Sequence, residues 1–367
     1  MTVELENAVV VVIGGGEGIG AAGAIALAAA GAWVVVADID ARAAEMTALD
    51  ITQTGGQALH VACDISRAAD LARLHRTTTE NFGAVDLVWA HAGRAVAGRL
   101  EKVGIEEWAG LMDLNCGGVV RTFLEFGPPM IDRGHGQLVI TSSSLALFPD
   151  QVPIAAPYVL TKSALVGLAR SLRAYLEPTG VGVTLLCPDA THTRHATEVP
   201  LIGLDRTAFD AELDTAKLDK PEDVADALVA ALRQGDFFVS LTPDVGTRML
   251  DDVHRLTGAP RSSRALVMSG CLRVNPRHHD RVAAAMTQVV AESRKEPDNL
   301  AYAWSADLDQ PGVFHLFEHW STREGLERHA ASTHGQAFLD LLKEVGPVEA
   351  DLHTHEVGAT QSLTLPD

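Results

Sequence analysis

Two rhythms of apolar residues divide this chain. In the first stretch, apolar residues come in unbroken β-branched runs such as AVVVVI (Ala8–Ile13) and WVVVAD (Trp33–Asp38). A strand covered by helices on both faces of a parallel sheet has no polar face, so its sequence shows no alternation. Between these runs lie GGGEGIG (14–20) and the helix-forming AAGAIALAAAGA (21–32). Further buried strands are expected at DLVWAHAG (86–93), QLVITSSS (137–144) and VGVTLLCPDATHT (181–193). PEDVADALVAALRQG (221–235) reads as an amphipathic helix with proline at its first turn, and DFFVSLTP (236–243) as a closing strand. After Arg264 the rhythm changes. ALVMSGCLRV (265–274) alternates as a strand with one covered face does, and DRVAAAMTQVVAESRKE (280–296) is an amphipathic helix. NLAYAWSAD and GVFHLFEHW then form two strands joined by LDQPG, two short helices follow, and VEADLHTHEVG closes as a strand. The order β-α-β-β-α-β is a ferredoxin-like layout, which leaves one sheet face to be covered by a second copy.

A length of 367 residues suits two domains, and 47 % hydrophobic residues suffice for real cores. The expected domains are 1–258 and 265–361, joined by a linker at 259–264. The net charge of -19 argues against nucleic acid or an anionic membrane as partner, because both require clustered Lys and Arg. The four cysteines, Cys63, Cys116, Cys187 and Cys271, form no CxxC pair, which fits a reducing cytoplasm and no thiolate metal site. The opening MTVELEN is acidic where a signal peptide would be basic. The apolar span from Ala8 to Ala37 is broken by Glu17 and the glycines, so it parses as strand, turn, helix and strand rather than as a membrane helix.

Strand, glycine turn, helix, strand and acid together form a dinucleotide-binding unit. The glycines allow backbone to approach a pyrophosphate, and the helix N-terminus offers free N–H groups to the anion. Asp38, at the end of the second strand, would accept hydrogen bonds from the adenosine ribose. Its carboxylate, with Glu17 in the turn, would repel a 2′-phosphate, so NAD is expected rather than NADP.

The spacing GxxxGxG (Gly14, Gly18, Gly20) is where the chain begins to resemble the short-chain dehydrogenase/reductase family. CDIS (63–66), DLVWAHAG, LNCGGVV (114–120), YVLTK (158–162) and the Pro188…Thr193 loop continue the resemblance across residues 5 to 255 or so. Where the family keeps NNAG this chain has Ala90-His91-Ala92-Gly93, which removes the usual asparagine bracing of that strand. Asp189 replaces a glycine after Pro188. The resemblance implies a doubly wound parallel Rossmann sheet. It also implies an NAD site formed by Gly14, Gly18, Ile19, Gly20, Asp38, Asp64, Ile65, Ala92, Gly93, Tyr158, Lys162, Pro188 and Thr193.

Tyr158 and Lys162 lie one helical turn apart and share a face. A nearby ammonium is expected to lower the Tyr158 pKa toward neutrality, making it the acid for ketone reduction and the base for alcohol oxidation. Lys162 would also hold the cofactor ribose. Ser143, with Ser144 as the alternative, would hydrogen-bond the substrate oxygen, and Asn115 would support a water relay to Lys162. Residues 194–220 fall where this family places a substrate lid. The implied partner is a small alcohol or ketone, and the expected assembly is a homodimer or homotetramer.

SRKEPDNLAYAW (293–304) and FHLFEHWSTREGLERHAASTHGQAF (314–338) resemble the antibiotic biosynthesis monooxygenase family, whose members are dimeric α/β barrels. Asp298 departs from the glycine usual after Glu-Pro. The resemblance implies either a cofactor-independent oxygenase for phenols or quinols, with Tyr302, Trp320 and His329 lining a pocket, or a pairing and sheltering module without chemistry. A haem-degrading branch pairs a tryptophan and a histidine with a first-strand asparagine, where this chain has Ser269. No metal is expected: His315 and His319 stand on a strand with Phe317 between them, His329 and His334 belong to the following helix and its end, and no carboxylate or thiolate is read as completing a ligand set.

Overall fold

A computed structural model describes residues 2–215, 218–257 and 265–357. The chain divides into two compact units, Met1–Asp252 and Val253–Asp367. The expected linker at 259–264, and residues 358–361 of the expected second domain, lie outside the described residues.

Among the described residues of the first unit there are nine strands: β1 (Val9–Ile13), β2 (Trp33–Asp38), β3 (Gln57–Ala62), β4 (Leu87–Ala90), β5 (Ala97–Gly98), β6 (Gly136–Thr141), β7 (Val181–Leu186), β8 (Leu201–Ile202) and β9 (Phe238–Val239). Seven of them form one parallel sheet in the order β3-β2-β1-β4-β6-β7-β9, and β5 pairs with β8 alone. This is the doubly wound Rossmann arrangement. The unbroken β-branched runs now have a cause. Val9, Val11 and Ile13 enter the hydrophobic cluster on one face of the sheet, while Val10 and Val12 enter the cluster on the other. A polar residue anywhere in β1 would therefore be buried unpaired. The closing strand is only Phe238–Val239, shorter than the eight-residue stretch DFFVSLTP. Among its described residues the lid region holds helices Arg194–Thr197 and Arg206–Thr215. Among the described residues no helix is long and apolar enough to cross a membrane.

In the second unit, β10 (Ala265–Arg273), β11 (Asn299–Ala306), β12 (Val313–Trp320) and β13 (Glu349–Val357) form an antiparallel sheet in the order β11-β12-β10-β13. This order, with helices His279–Ser293, Arg323–Ala330 and Thr333–Glu344, is ferredoxin-like. Along β12 the alternation decides burial: Phe314, Leu316, Glu318 and Trp320 are buried, and His315 and Phe317 are exposed. His315 and His319 thus share the face that Phe317, itself 44 % exposed, occupies.

The glycine turn after β1 is closed by backbone. A Cβ on Gly20 would stand 1.9 Å from the Gly14 carbonyl oxygen, and one on Gly14 would stand 2.8 Å from Ala92 Cα. Gly20→Ala is therefore expected to force this turn apart. An overpacking cost of about 1–3 kcal/mol corresponds to a fall of roughly 2–4 °C per kcal/mol in Tm, readable by calorimetry. An unchanged Tm would show that the turn can yield without cost.

Candidate active site

The carboxyl ends of β1, β2, β4 and β6 converge on the glycine turn, the crevice where a doubly wound sheet binds its ligand. Helix Gly18–Ala29 begins there. Its N-cap, Glu17, makes no side-chain cap, and no acidic residue occupies the first turn. Its first N–H groups thus remain available for an anion. Gly14 and Gly18 have positive φ, +86° and +55°, which a side chain would strain. A Cβ on Gly18 would meet Thr193 Cγ2 at 2.8 Å, so Thr193 lies directly against the turn. Ala92 N donates to Ile13 O at 2.8 Å and draws the end of β4 to the same place.

Asp38 ends β2 and receives Gly16 N on Oδ2 and Asp40 N on Oδ1, both at 3.0 Å. Cys63 N donates to Asp38 O at 2.8 Å and sets the β3 end beside it. The next residue, Asp64, turns its carboxylate to Ser66 N and Oγ at 2.9 and 2.7 Å. Ile65 packs under Gly118, where a Cβ would come within 2.4 Å of it. Beside Asp38 is a cavity of about 340 Å³ lined by Glu17, Asp38, Asp40, Ala43, Arg194 and Glu198. Arg194 spans it, pairing with Glu17 at 2.6 Å and Glu198 at 3.0 Å. Sequence reasoning did not single out Arg194; its one signal was the i,i+4 Arg–Glu pattern at the head of the lid.

Tyr158 and Lys162 project from helix Ala156–Leu176 against the end of β6. The Lys162 ammonium is buried, donates to Thr141 O at 2.9 Å, and lies 5.5 Å from the centre of the Tyr158 ring. Burial lowers its pKa to about 8. The Ser143 hydroxyl hydrogen-bonds Tyr158 and also receives Leu145 N at 3.2 Å. Ser142 instead donates to Lys162 O at 2.7 Å, and Ser144 N donates to Pro188 O at 2.9 Å. Of the three serines, Ser143 is the one whose hydroxyl is paired with Tyr158.

One expectation is corrected here. The Tyr158 pKa is not lowered toward neutrality: burial pushes the phenol up to about 12, against the opposing pull of the Ser143 hydrogen bond. The ammonium faces the ring and the Thr141 carbonyl, while the phenol sits in a desolvated site that disfavours its anion. The Cys187 thiol belongs to this group too; burial raises it to about 12, with Ser142 hydrogen-bonded to it. Nothing in the cysteine spacing pointed to it.

Asn115 is buried in a π-helical segment, Met112–Gly117. Its Oδ1 accepts from Arg94 N, and its Nδ2 donates to Arg94 O and Thr161 Oγ1, all at 2.9 Å. The side chain therefore acts as a brace between the Gly93 loop and the Tyr158 helix. The bracing that NNAG would supply falls to other groups. Trp89 Nε1 donates to Thr141 Oγ1 at 2.8 Å, and His91 Nδ1 contacts the same oxygen at 3.1 Å.

In the second unit, Tyr302, Trp320 and His329 do come together. The His329 ring lies 4.8 Å from that of Trp320 and 5.1 Å from that of Tyr302. All three are buried, and Trp320 is 0 % exposed in a core with Leu266, Val289 and Leu316. Trp320 Nε1 donates to the buried Glu318 carboxylate at 2.8 Å. Burial raises the Glu318 pKa. Ser269 pairs with Phe317, on the face opposite Trp320, so the haem-branch positions are not gathered on one face.

The profile of the short chain dehydrogenase family matches residues 8–201, and that of antibiotic biosynthesis monooxygenase matches residues 266–341. The chain is 32 % identical over 238 residues to the probable oxidoreductase EphD of Mycobacterium tuberculosis, covering 62 % of this chain and 40 % of that protein. It thus spans well under half the length of that relative. Over 264 residues it is 32 % identical to 1-deoxy-11-beta-hydroxypentalenate dehydrogenase of Streptomyces exfoliatus, covering 71 % of this chain and 93 % of that one. A short chain dehydrogenase/reductase of Burkholderia phymatum, solved in complex with NAD, superposes with a TM-score of 0.64 at 26 % identity, covering 71 % of this chain and 99 % of that one.

The buried Lys162 ammonium makes stability depend on pH. It titrates near 8 folded and at the ordinary 10.5 unfolded, so between these values the unfolded chain binds more protons. The contribution of Lys162 to stability therefore rises with pH across that window, by about 1.4 kcal/mol per unit at most. In urea unfolding at pH 8 and pH 10, Lys162→Met should remove that rise. The difference between the two proteins isolates it from the buried thiols, which titrate in the opposite sense.

Proposed function

The chain belongs to the short chain dehydrogenase family, and from that premise we propose that it is an NAD(H)-dependent oxidoreductase interconverting a secondary alcohol and a ketone. The observation that carries this is the buried group of Ser143, Tyr158 and Lys162 at the mouth of a glycine-lined crevice. The cradle fits a dinucleotide. Cβ-free positions face the turn, the helix N-terminus keeps free donors, and Asp38 stands at the end of β2. Gly14, Gly18, Ile19 and Gly20 would hold the pyrophosphate side, and Asp38 the adenosine ribose. Asp64 and Ile65 would hold the adenine; Ala92, Gly93, Pro188 and Thr193 would face the nicotinamide half. Four carboxylates, Glu17, Asp38, Asp40 and Glu198, surround the cavity beside Asp38 against the single guanidinium of Arg194. That balance disfavours a 2′-phosphate and supports NAD over NADP.

When bound, the nicotinamide supplies or accepts the hydride. The chain's own residues manage the oxygen. Tyr158 is protonated at neutral pH in this state, so it is set to donate its proton to a carbonyl oxygen as a ketone becomes an alcohol. Ser143 holds the same oxygen through its hydroxyl. Lys162 holds the ribose and keeps a positive charge beside the ring. Asn115 and Thr141 fix these groups in place.

For the C-terminal unit, a pairing role is favoured over turnover of a phenol or quinol. Trp320 and Tyr302 are closed into a core, while Phe317 stands exposed on the opposite sheet face, which a second copy would cover.

Tyr158→Phe should lower turnover at least 10²–10⁴-fold while leaving NADH binding, followed by fluorescence, within a few-fold of wild type. Unchanged turnover would refute the assignment. Phe317→Asp in the full chain should shift the assembly to a smaller species by light scattering and retain dehydrogenase turnover. Oxygen uptake on hydroquinones or anthrones would instead assign chemistry to the second unit.

A further inference from the structure

We propose that Glu296, His329 and His334 form a binding site for one divalent transition-metal ion in the C-terminal unit. Their three ligand atoms lie within 4.8 Å of one another. His329 Nδ1 and His334 Nε2 both meet Glu296 Oε1, at 2.8 and 2.7 Å. Two imidazole nitrogens converging on one carboxylate oxygen have the arrangement of a ligand set, drawn together by hydrogen bonds that one cation would replace. Tetrahedral coordination at about 2.0–2.2 Å separates ligand atoms by about 3.3 Å. The carboxylate needs to withdraw by only about half an ångström from its hydrogen-bonded position to admit the ion.

The ligands are held before any ion arrives. His329 ends helix Arg323–Ala330 and His334 opens helix Thr333–Glu344. The corner between them is tied by Ser332 N to His329 O at 2.9 Å and Gly335 N to Ser332 Oγ at 3.1 Å. Gly335 permits it, since a Cβ there would stand 2.7 Å from His329 O. Glu296 comes from the turn after helix His279–Ser293, and Asp298 ties that turn to the corner by accepting from Ser321 Oγ and Arg328 Nη2. Around the ligands, the Trp320 and Tyr302 rings cover His329 on the apolar side. The buried Glu318 carboxylate accepts from Nε1 of Trp320, the ring that covers His329. A carboxylate held against two imidazole nitrogens suits a cation, and a desolvated wall strengthens its ligation. Two histidines and one carboxylate select a borderline ion such as Zn²⁺ or Fe²⁺ and leave a position for water. The site lies wholly in the second unit and stands independently of the dehydrogenase assignment.

The test uses the full chain stripped by a chelator and titrated with Co²⁺, then with Zn²⁺. One equivalent of Co²⁺ per chain should give saturable visible absorption that Zn²⁺ displaces, and Zn²⁺ should raise the unfolding midpoint. His334→Gln and Glu296→Gln, each checked for native circular dichroism, should weaken Zn²⁺ binding at least tenfold. The paired change His353→Gln with His355→Gln, on the opposite sheet face, should leave it unchanged. Absence of a saturable Co²⁺ band, or wild-type Zn²⁺ affinity in His334→Gln and Glu296→Gln, would overturn the proposal.

Discussion

A buried ammonium must be hydrogen-bonded or neutralised, and the first unit of this molecule is arranged around that demand. Lys162 meets it at the Thr141 carbonyl, the last residue of β6. Thr141 is in turn gripped through its hydroxyl by Trp89 and His91, from β4 and the residue after it. The ends of two adjacent strands and the helix carrying Tyr158 are therefore tied together through one threonine. The positions of Ser143, which follows β6, and of Tyr158, one turn before Lys162, follow from that tie.

This arrangement accounts for the departure at Ala90-His91. An asparagine pair is one way of bracing the end of β4; here the indole and imidazole perform that task. The surrounding packing is built for the change. Gly23 lies where a Cβ would collide with the Trp89 ring at 2.1 Å, and Gly20 leaves room for the His91 ring at 3.0 Å.

The second unit solves a different problem. Among the described residues of this unit helices cover one face of its sheet, so alternation along β12 sends Phe314, Leu316, Glu318 and Trp320 inward. Glu318 among these is a charge in an apolar row. It is tolerated because Trp320 Nε1 donates to it and because burial raises its pKa toward the neutral form. The Glu296 group beside it is likewise paired, with two histidines on one carboxylate oxygen. Acidic groups are thus concentrated next to the Trp320 core.

Local pattern by itself determined the two-part organisation, the parallel sheet and the ferredoxin-like element order, while the candidacy of Tyr158, Lys162 and the glycine turn came with the family resemblance that their motifs carry. Each is written in contiguous residues whose period or spacing has one physical reading: strands buried on both faces lack alternation, and a helix places residues four apart on one face. Tertiary structure alone decided the rest, because those properties depend on groups far apart in sequence. It set the Tyr158 phenol above its ordinary range, since desolvation is a property of the closed site. It also brought Arg194 to Glu17, put Cys187 beside the serines, and carried Glu296 from 33 residues away onto His329. A carboxylate so distant in the chain leaves no trace in the spacing of the histidines it joins.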